Sequence, residues 1–270
     1  MPNDSKFLVL GAAYRLRADQ VWLFVESLRR HYDGPVMLLV TSVDSDQLVA
    51  YLRSRDVIPV FFDCPYWMAA HIQLARYIRY GEILRGCDRP YDRVLLSDVS
   101  DVLFQGHPFA TAPAGELLCF LEDGGRTIEQ CNSNSVWVKH VFGSPGLARI
   151  GNRTVSCSGT TIGSQQAILQ YIDLLLSHAN PKVVAGLPHV RGHDQGIHNY
   201  LLYTGALPLA RLVPNGQHVH TVGFVPDSEI GLGPSGTLLS PGGRLCPIIH
   251  QYNYKPAALA HISTVYSLKA

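Results

Sequence analysis

Asp98 and Asp101 lie just past the apolar run Val94-Leu95-Leu96 and directly before Val102-Leu103-Phe104. In an open α/β sheet, ligands gather outside the carboxyl ends of the strands. Two carboxylates there can hold a hard divalent cation, which would bridge phosphate oxygens and neutralise charge developing on a leaving diphosphate. The plainer reading is a turn in which either aspartate caps backbone amides. His250 ends a second apolar run, Cys246-Pro247-Ile248-Ile249, which reads as an interior strand delivering a side chain to a site. An imidazole beside two carboxylates makes a mixed oxygen and nitrogen site, suited to Mn2+ or Mg2+ rather than structural zinc. Lys255 follows closely and could set its ammonium on a phosphate to help a leaving group depart. Read singly, these two are a hydrogen-bonded core histidine and a surface lysine.

Other segments concentrate polar groups. Arg76 falls on a predicted helix with Leu74, Ile78 and Leu84, and its guanidinium suits bidentate contact with phosphate or carboxylate. In Pro188–His198, Asp194 and Gln195 stand where a helix begins, and an aspartate there also complements the helix dipole. A zinc site from His189, His193 and His198 is set aside because the segment lacks the glutamate of an HExxH motif. Glu122-Asp123-Gly124-Gly125-Arg126 reads as a turn with exposed acids, either of which could serve as a general base. Gly231-Leu232-Gly233-Pro234-Ser235-Gly236 spells GxGxxG, but no strand precedes it and Pro234 opposes a phosphate-cradling helix start, so it reads as a flexible loop. The chain contains neither GxxxxGK nor GxSxG, which removes the usual P-loop nucleotidase and α/β-hydrolase.

The surrounding secondary structure is legible in the first hundred positions. Apolar runs at Phe7–Leu10, Val36–Val40, Val57–Phe61 and Arg93–Leu96 predict strands, with Pro59 pointing to an edge. Helical spacing predicts helices over Ala18–Arg30, Ser45–Arg55 and about Tyr66–Leu84. Continuous apolar strands alternating with helices imply a mostly parallel sheet covered on both faces, a doubly wound, Rossmann-like arrangement. Further on, Leu117–Leu121 and Val155–Ser158 read as strands, Gln165–Ser177 and His193–Tyr203 as helices, and Ala210–His250 as short β runs rich in Gly and Pro.

Taken together, these features resemble a GT-A-fold nucleotide-sugar glycosyltransferase, and most closely family 8-like members. The helix carrying Arg76-Tyr77 is similar to that family's donor-binding arginine helix. Ser158-Gly159-Thr160-Thr161-Ile162-Gly163 resembles its small-residue segment facing the sugar. His193-Asp194-Gln195-Gly196 resembles its Asp-Gln pair, and His250 with Lys255-Pro256 its C-terminal metal and phosphate motif. The resemblance implies a GT-A fold over residues 1–270, with about 1–105 as the nucleotide-binding half and about 106–270 as an irregular acceptor-binding half. It assigns Asp98, Asp101 and His250 to a metal, Mn2+ or Mg2+, and Asp194 and Gln195 to catalysis. Donor contacts fall to Ala12, Tyr14, Arg76, Asp98, Gly159, Thr160 and Lys255. Gly11-Ala12-Ala13-Tyr14-Arg15 becomes the base-binding loop, where small residues admit the nucleotide and Tyr14 stacks on its base. The chain departs from the family's Asp-x-Asp spacing. Asp101 takes the place of the last aspartate, while Asp98, displaced by one residue, is left to the metal shell or the ribose.

The expected activity is metal-assisted transfer of a sugar from a nucleotide-diphosphate donor to a carbohydrate or glycoconjugate hydroxyl, with the anomeric configuration retained. A sugar nucleotidyltransferase is disfavoured because the loop after the first strand is poor in Gly and basic residues. A non-catalytic nucleotide-sugar-binding module is the second alternative. With 47% hydrophobic and 16% charged residues the composition is globular, and a formal net charge of +1 gives no overall pull toward nucleic acid. No apolar run reaches the ~20 residues that span a bilayer. The polar start Met1–Lys6 shows no signal peptide, and six cysteines without a CxxC pair read as reduced thiols, so a cytoplasmic location is expected.

Overall fold

The computed structural model describes residues 4–43, 46–110, 116–122 and 125–266. The first half alternates as the apolar runs require: β1 (Phe7–Ala12), α1 (Ala18–Arg29), β2 (Val36–Val40), α2 (Asp46–Ser54), β3 (Ile58–Phe61), α3 (Ile72–Arg85) and β4 (Arg93–Ser97). There follow β5 (Val102–Phe104), β6 (Leu117–Leu121), α4 (Asn132–Ile150), β7 (Ser156–Gly163), α5 (Gln165–His178), α6 (Pro181–Ala185) and α7 (His193–Tyr203). The chain ends through β8 (Ala210–Val213), β9 (Val219–Thr221), β10 (Gly231–Leu232), β11 (Leu238–Leu239), β12 (Ile248–His250) and α8 (Pro256–Ser263).

Seven strands form the main sheet in the order β3-β2-β1-β4-β7-β6-β8, all of them parallel to one another except β7, which runs against both β4 and β6. Residue alternation separates its two faces. Leu8, Leu10, Val94 and Leu96 pack with Tyr77 and Tyr80 of α3 and Ile168 and Tyr171 of α5. Val9 and Leu95 turn the other way, onto Phe24 and Leu28 of α1 and Leu48 and Leu52 of α2. Both faces are therefore covered, as continuous apolar strands demand. Pro59 sits on the edge strand β3, where its missing N–H costs no ladder bond. A second sheet, β5-β12-β9, pairs β12 antiparallel to β5 and parallel to β9.

Three expectations are corrected. The helix expected from Tyr66 is broken: Tyr66–Met68 is a 3-10 turn, and α3 begins at Ile72 after His71 leaves helical geometry with its buried ring edge-on to His193. The strand expected at Val155–Ser158 extends to Gly163. The segment Gly231–Gly236, expected as a flexible loop, pairs β10 with β11 and then makes a 3-10 turn. No described helix is long and apolar enough to cross a membrane, and all six cysteines are free thiols.

Candidate metal centre and its surroundings

Asp98 and Asp101 begin and end the tight turn that carries the chain from β4 in the main sheet to β5 in the small one. A four-residue turn brings its first and last residues together, so spacing i, i+3 gathers two carboxylates as Asp-x-Asp would on an extended chain. The small sheet supplies the third group. His250 pairs with Val102 across β12 and β5, and Gln251 N–H donates to the Asp101 carbonyl at 2.8 Å, which locks the end of β12 beside the turn. His250 Nε2 lies 3.7 Å from Asp98 Oδ2 and 3.6 Å from Asp101 Oδ2. One ligand atom from each residue falls within 4.8 Å of the others, the one group of three or more such residues found among the described residues. Asp98 and Asp101 are half-buried and His250 is buried.

These residues fit a divalent cation. His250 Nε2 is buried with no hydrogen-bond partner and faces two carboxylate oxygens, the environment in which a nitrogen lone pair meets a metal. Space is kept open by Gly159 on β7, whose backbone carbonyl accepts from Asp98 N–H at 2.7 Å. A Cβ there would stand 2.6 Å from Asp98 Oδ2 and 2.9 Å from His250 Nε2. Desolvation opposes a charged His250, but Cys157, Asp101 and Asp98 outweigh it and raise its pKa well above the usual imidazole range.

Arg76 stands behind the carboxylates. Asp98 continues the alternation of Val94 and Leu96 toward the α3 face, where Arg76 Nη1 donates to Asp98 Oδ1 at 2.5 Å. Arg76 Nη2 donates to Asp194 Oδ2 at 3.0 Å, so one buried guanidinium joins the β4 end to the start of α7. Desolvation works against the Asp98 anion, yet Arg76 and then His250 hold its carboxyl well below the usual carboxylate range. Asp194 is 3% exposed, and burial raises its pKa despite Arg76. The predicted residues Arg76, Asp98, Asp101, Asp194, Gly159 and His250 thus converge.

Gln195 is held from both sides. Its Nε2 donates to Asn134 Oδ1 at 3.0 Å and to Glu122 Oε1 at 3.3 Å, while its Oε1 accepts from Ser158 N–H at 3.4 Å. Glu122, expected as an exposed turn acid, is 4% exposed because it turns inward onto Gln195, and burial raises its pKa. Asp123 and Gly124 of that segment lie outside the described residues.

The remaining predicted contacts divide. Lys255 Nζ pairs with Asp227 Oδ1 at 2.8 Å, and no described ion pair joins it to the metal trio. Thr160 is fully buried, and its alternation turns it from the face that Gly159 presents. Ala12, the last residue of β1, and Tyr14 just beyond it are half-buried, and Arg15 lies over the Tyr14 ring at 5.1 Å. Gly11 serves packing instead of a nucleotide: a Cβ would meet Val99 Cγ2 at 2.6 Å and Leu38 Cδ2 at 2.8 Å. His198 hydrogen-bonds Tyr171 and Ser156 in the core, which ends the histidine zinc alternative. Nothing local in the sequence marks the contacts of Cys157, Asn134, Glu122 and Ser158; the one signal is the strand alternation that sets Cys157 on the face of Gly159. No protein-family model matches the chain, and no curated protein matches it either.

Proposed function

We propose that the chain is a GT-A-type glycosyltransferase that moves a sugar from a nucleotide-diphosphate donor to an acceptor hydroxyl. The observation that carries the reading is the convergence of Asp98, Asp101 and His250 from two sheets at the carboxyl end of β4, backed by the Arg76 bridge to Asp194. Mn2+ or Mg2+ held by these three would supply charge neutralisation for a leaving diphosphate. Arg76 keeps Asp98 ionised and fixed, so the carboxylate needs no reorganisation on binding its ligand. Gln195, clamped by Asn134, Glu122 and Ser158, is pre-set to place an amide dipole against developing positive charge on the sugar. Asp194 serves through its ion pair, since Arg76 already occupies its Oδ2.

Lys255 would reach a phosphate only by leaving Asp227, which is itself largely exposed and free to let go. The donor enters over the nucleotide-binding half near Ala12 and Tyr14, and the acceptor from the side of β6 and α7. Six free thiols accord with a cytoplasmic setting. The experiment is incubation with a panel of nucleotide-diphosphate sugars and Mn2+, reading release of nucleoside diphosphate and, with an acceptor, the product anomer by NMR. Release that requires the cation supports the reading, and a retained anomer supports the role of Gln195. Binding of donors without any turnover would instead favour a non-catalytic binding module.

A further inference from the structure

Cys157 touches both parts of the candidate site, and the hydrogen-bonding capacity of its neighbours fixes what it does. It lies on β7 two residues before Gly159, so both face His250. Its Sγ is 3.5 Å from His250 Nδ1, 3.5 Å from Gln195 Oε1 and 3.9 Å from Gln251 Nε2. The residue is 2% exposed.

The assignment of protons follows from the donors and acceptors. Gln195 Nε2 faces the oxygens of Asn134 and Glu122, so the amide must point its Oε1 at Cys157 and the Ser158 amide. Oε1 only accepts, so the thiol faces it as a donor, with the Glu122 carboxylate as a second acceptor within its reach. The sulfur lone pairs remain for donors, namely Gln251 Nε2 and the nitrogen at His250 Nδ1. A neutral imidazole that donates through Nδ1 carries its lone pair on Nε2, the atom facing Asp98 and Asp101. We propose that Cys157 is a positioning residue that accepts from His250 Nδ1 and donates to Gln195 Oε1, so that Nε2 is presented to the cation and the same thiol ties the metal centre to the glutamine amide. This inference rests on the metal reading of Asp98, Asp101 and His250. Metal-bound histidines commonly give their other N–H to a carboxylate or carbonyl, and a thiol in that place is the particular solution of this chain.

Mn2+ titration of the wild type, Cys157→Ala and Cys157→Ser, each checked by thermal melt, tests it. Loss of the partner of a metal-bound histidine weakens affinity about 10- to 100-fold, which is expected for Cys157→Ala. Serine can accept and donate in the same directions and should recover most of that loss, which a merely space-filling role would not predict. Equal affinity in the alanine variant, or a serine variant as weak as the alanine one, overturns the proposal. Should the alanine variant not fold, long-range 1H–15N spectra of Mg2+-loaded wild type decide. Protonation at His250 Nδ1 supports the assignment, and protonation at Nε2 overturns it. A wild type that binds no Mn2+ overturns the metal reading itself, whereas normal wild-type binding with an unaffected alanine variant overturns only the role of Cys157.

Discussion

Replacing Gly159 by alanine adds one methyl group where the site has no room for it. The new Cβ would stand 2.6 Å from Asp98 Oδ2, about 0.8 Å inside the 3.4 Å at which ordinary contact begins, and would press on His250 as well. Neither neighbour can retreat cheaply. Asp98 Oδ1 is held by Arg76 at 2.5 Å, and His250 is wedged between Cys157 and Asp101. Gly159 lies in a strand and its φ is outside the left-handed region, so alanine suits the backbone and the effect is steric. Forcing a methyl group into a packed site costs about 1–3 kcal/mol. If that strain falls on the ligand arrangement, affinity for Mn2+ drops about 5- to 150-fold, at 1.4 kcal/mol per factor of ten. Calorimetric titration with Mn2+ beside a thermal melt separates lost ligation from lost fold. An alanine variant that melts and binds Mn2+ like the wild type would refute the proposed geometry.

Other perturbations probe the supports. Arg76→Met leaves the buried Asp194 and its neighbour Asp98 without their common partner; breaking such a pair costs about 3–5 kcal/mol. Chemical denaturation should show that loss, and Asp194→Leu in the same chain should return part of it. Acid should unfold the protein through histidines that are neutral when folded: burial, with His71 and His140, lowers His193 to about 4, and burial lowers His220 to about 4. Because the unfolded chain takes up those protons near pH 6.5, stability is complete above that value and falls as pH drops toward 4, by about 3 kcal/mol for each histidine. Denaturation midpoints between pH 7 and 4 measure the slope, and His193→Gln should flatten it. Lys255→Ala should lower turnover more than donor affinity, and an unchanged rate would remove its phosphate role.

How far the site was legible depended on which physical signal each residue carried. The strands that deliver Asp98 and His250 are runs of Val, Leu and Ile, and burial on both faces makes such runs conspicuous. β7 is built of Ser, Cys, Gly and Thr with a single Ile, equally buried yet with little apolar signature, so the sequence predicts only its first residues as strand and gives Cys157 no distinguishing mark. α4, which brings Asn134 to Gln195, opens with Asn and Ser and is interrupted at Gly143, two residues before Pro145, and its helical period is blurred. Glu122 reads as an exposed acid because it opens the turn-like run Glu122-Asp123-Gly124-Gly125; its burial follows from the distant Gln195. The pairing of Lys255 with Asp227 likewise depends on a loop that no local pattern could place.

If Asp98, Asp101 and His250 form the proposed site, a nucleoside diphosphate should bind there only through a divalent cation. Calorimetric titration of UDP, GDP, ADP and CDP with and without Mn2+, repeated on Asp101→Asn, tests it most directly. At least one of them should bind only when Mn2+ is present, and the substitution should abolish this binding. Absence of binding by all four with Mn2+, or binding that the cation and Asp101→Asn leave unchanged, would contradict it.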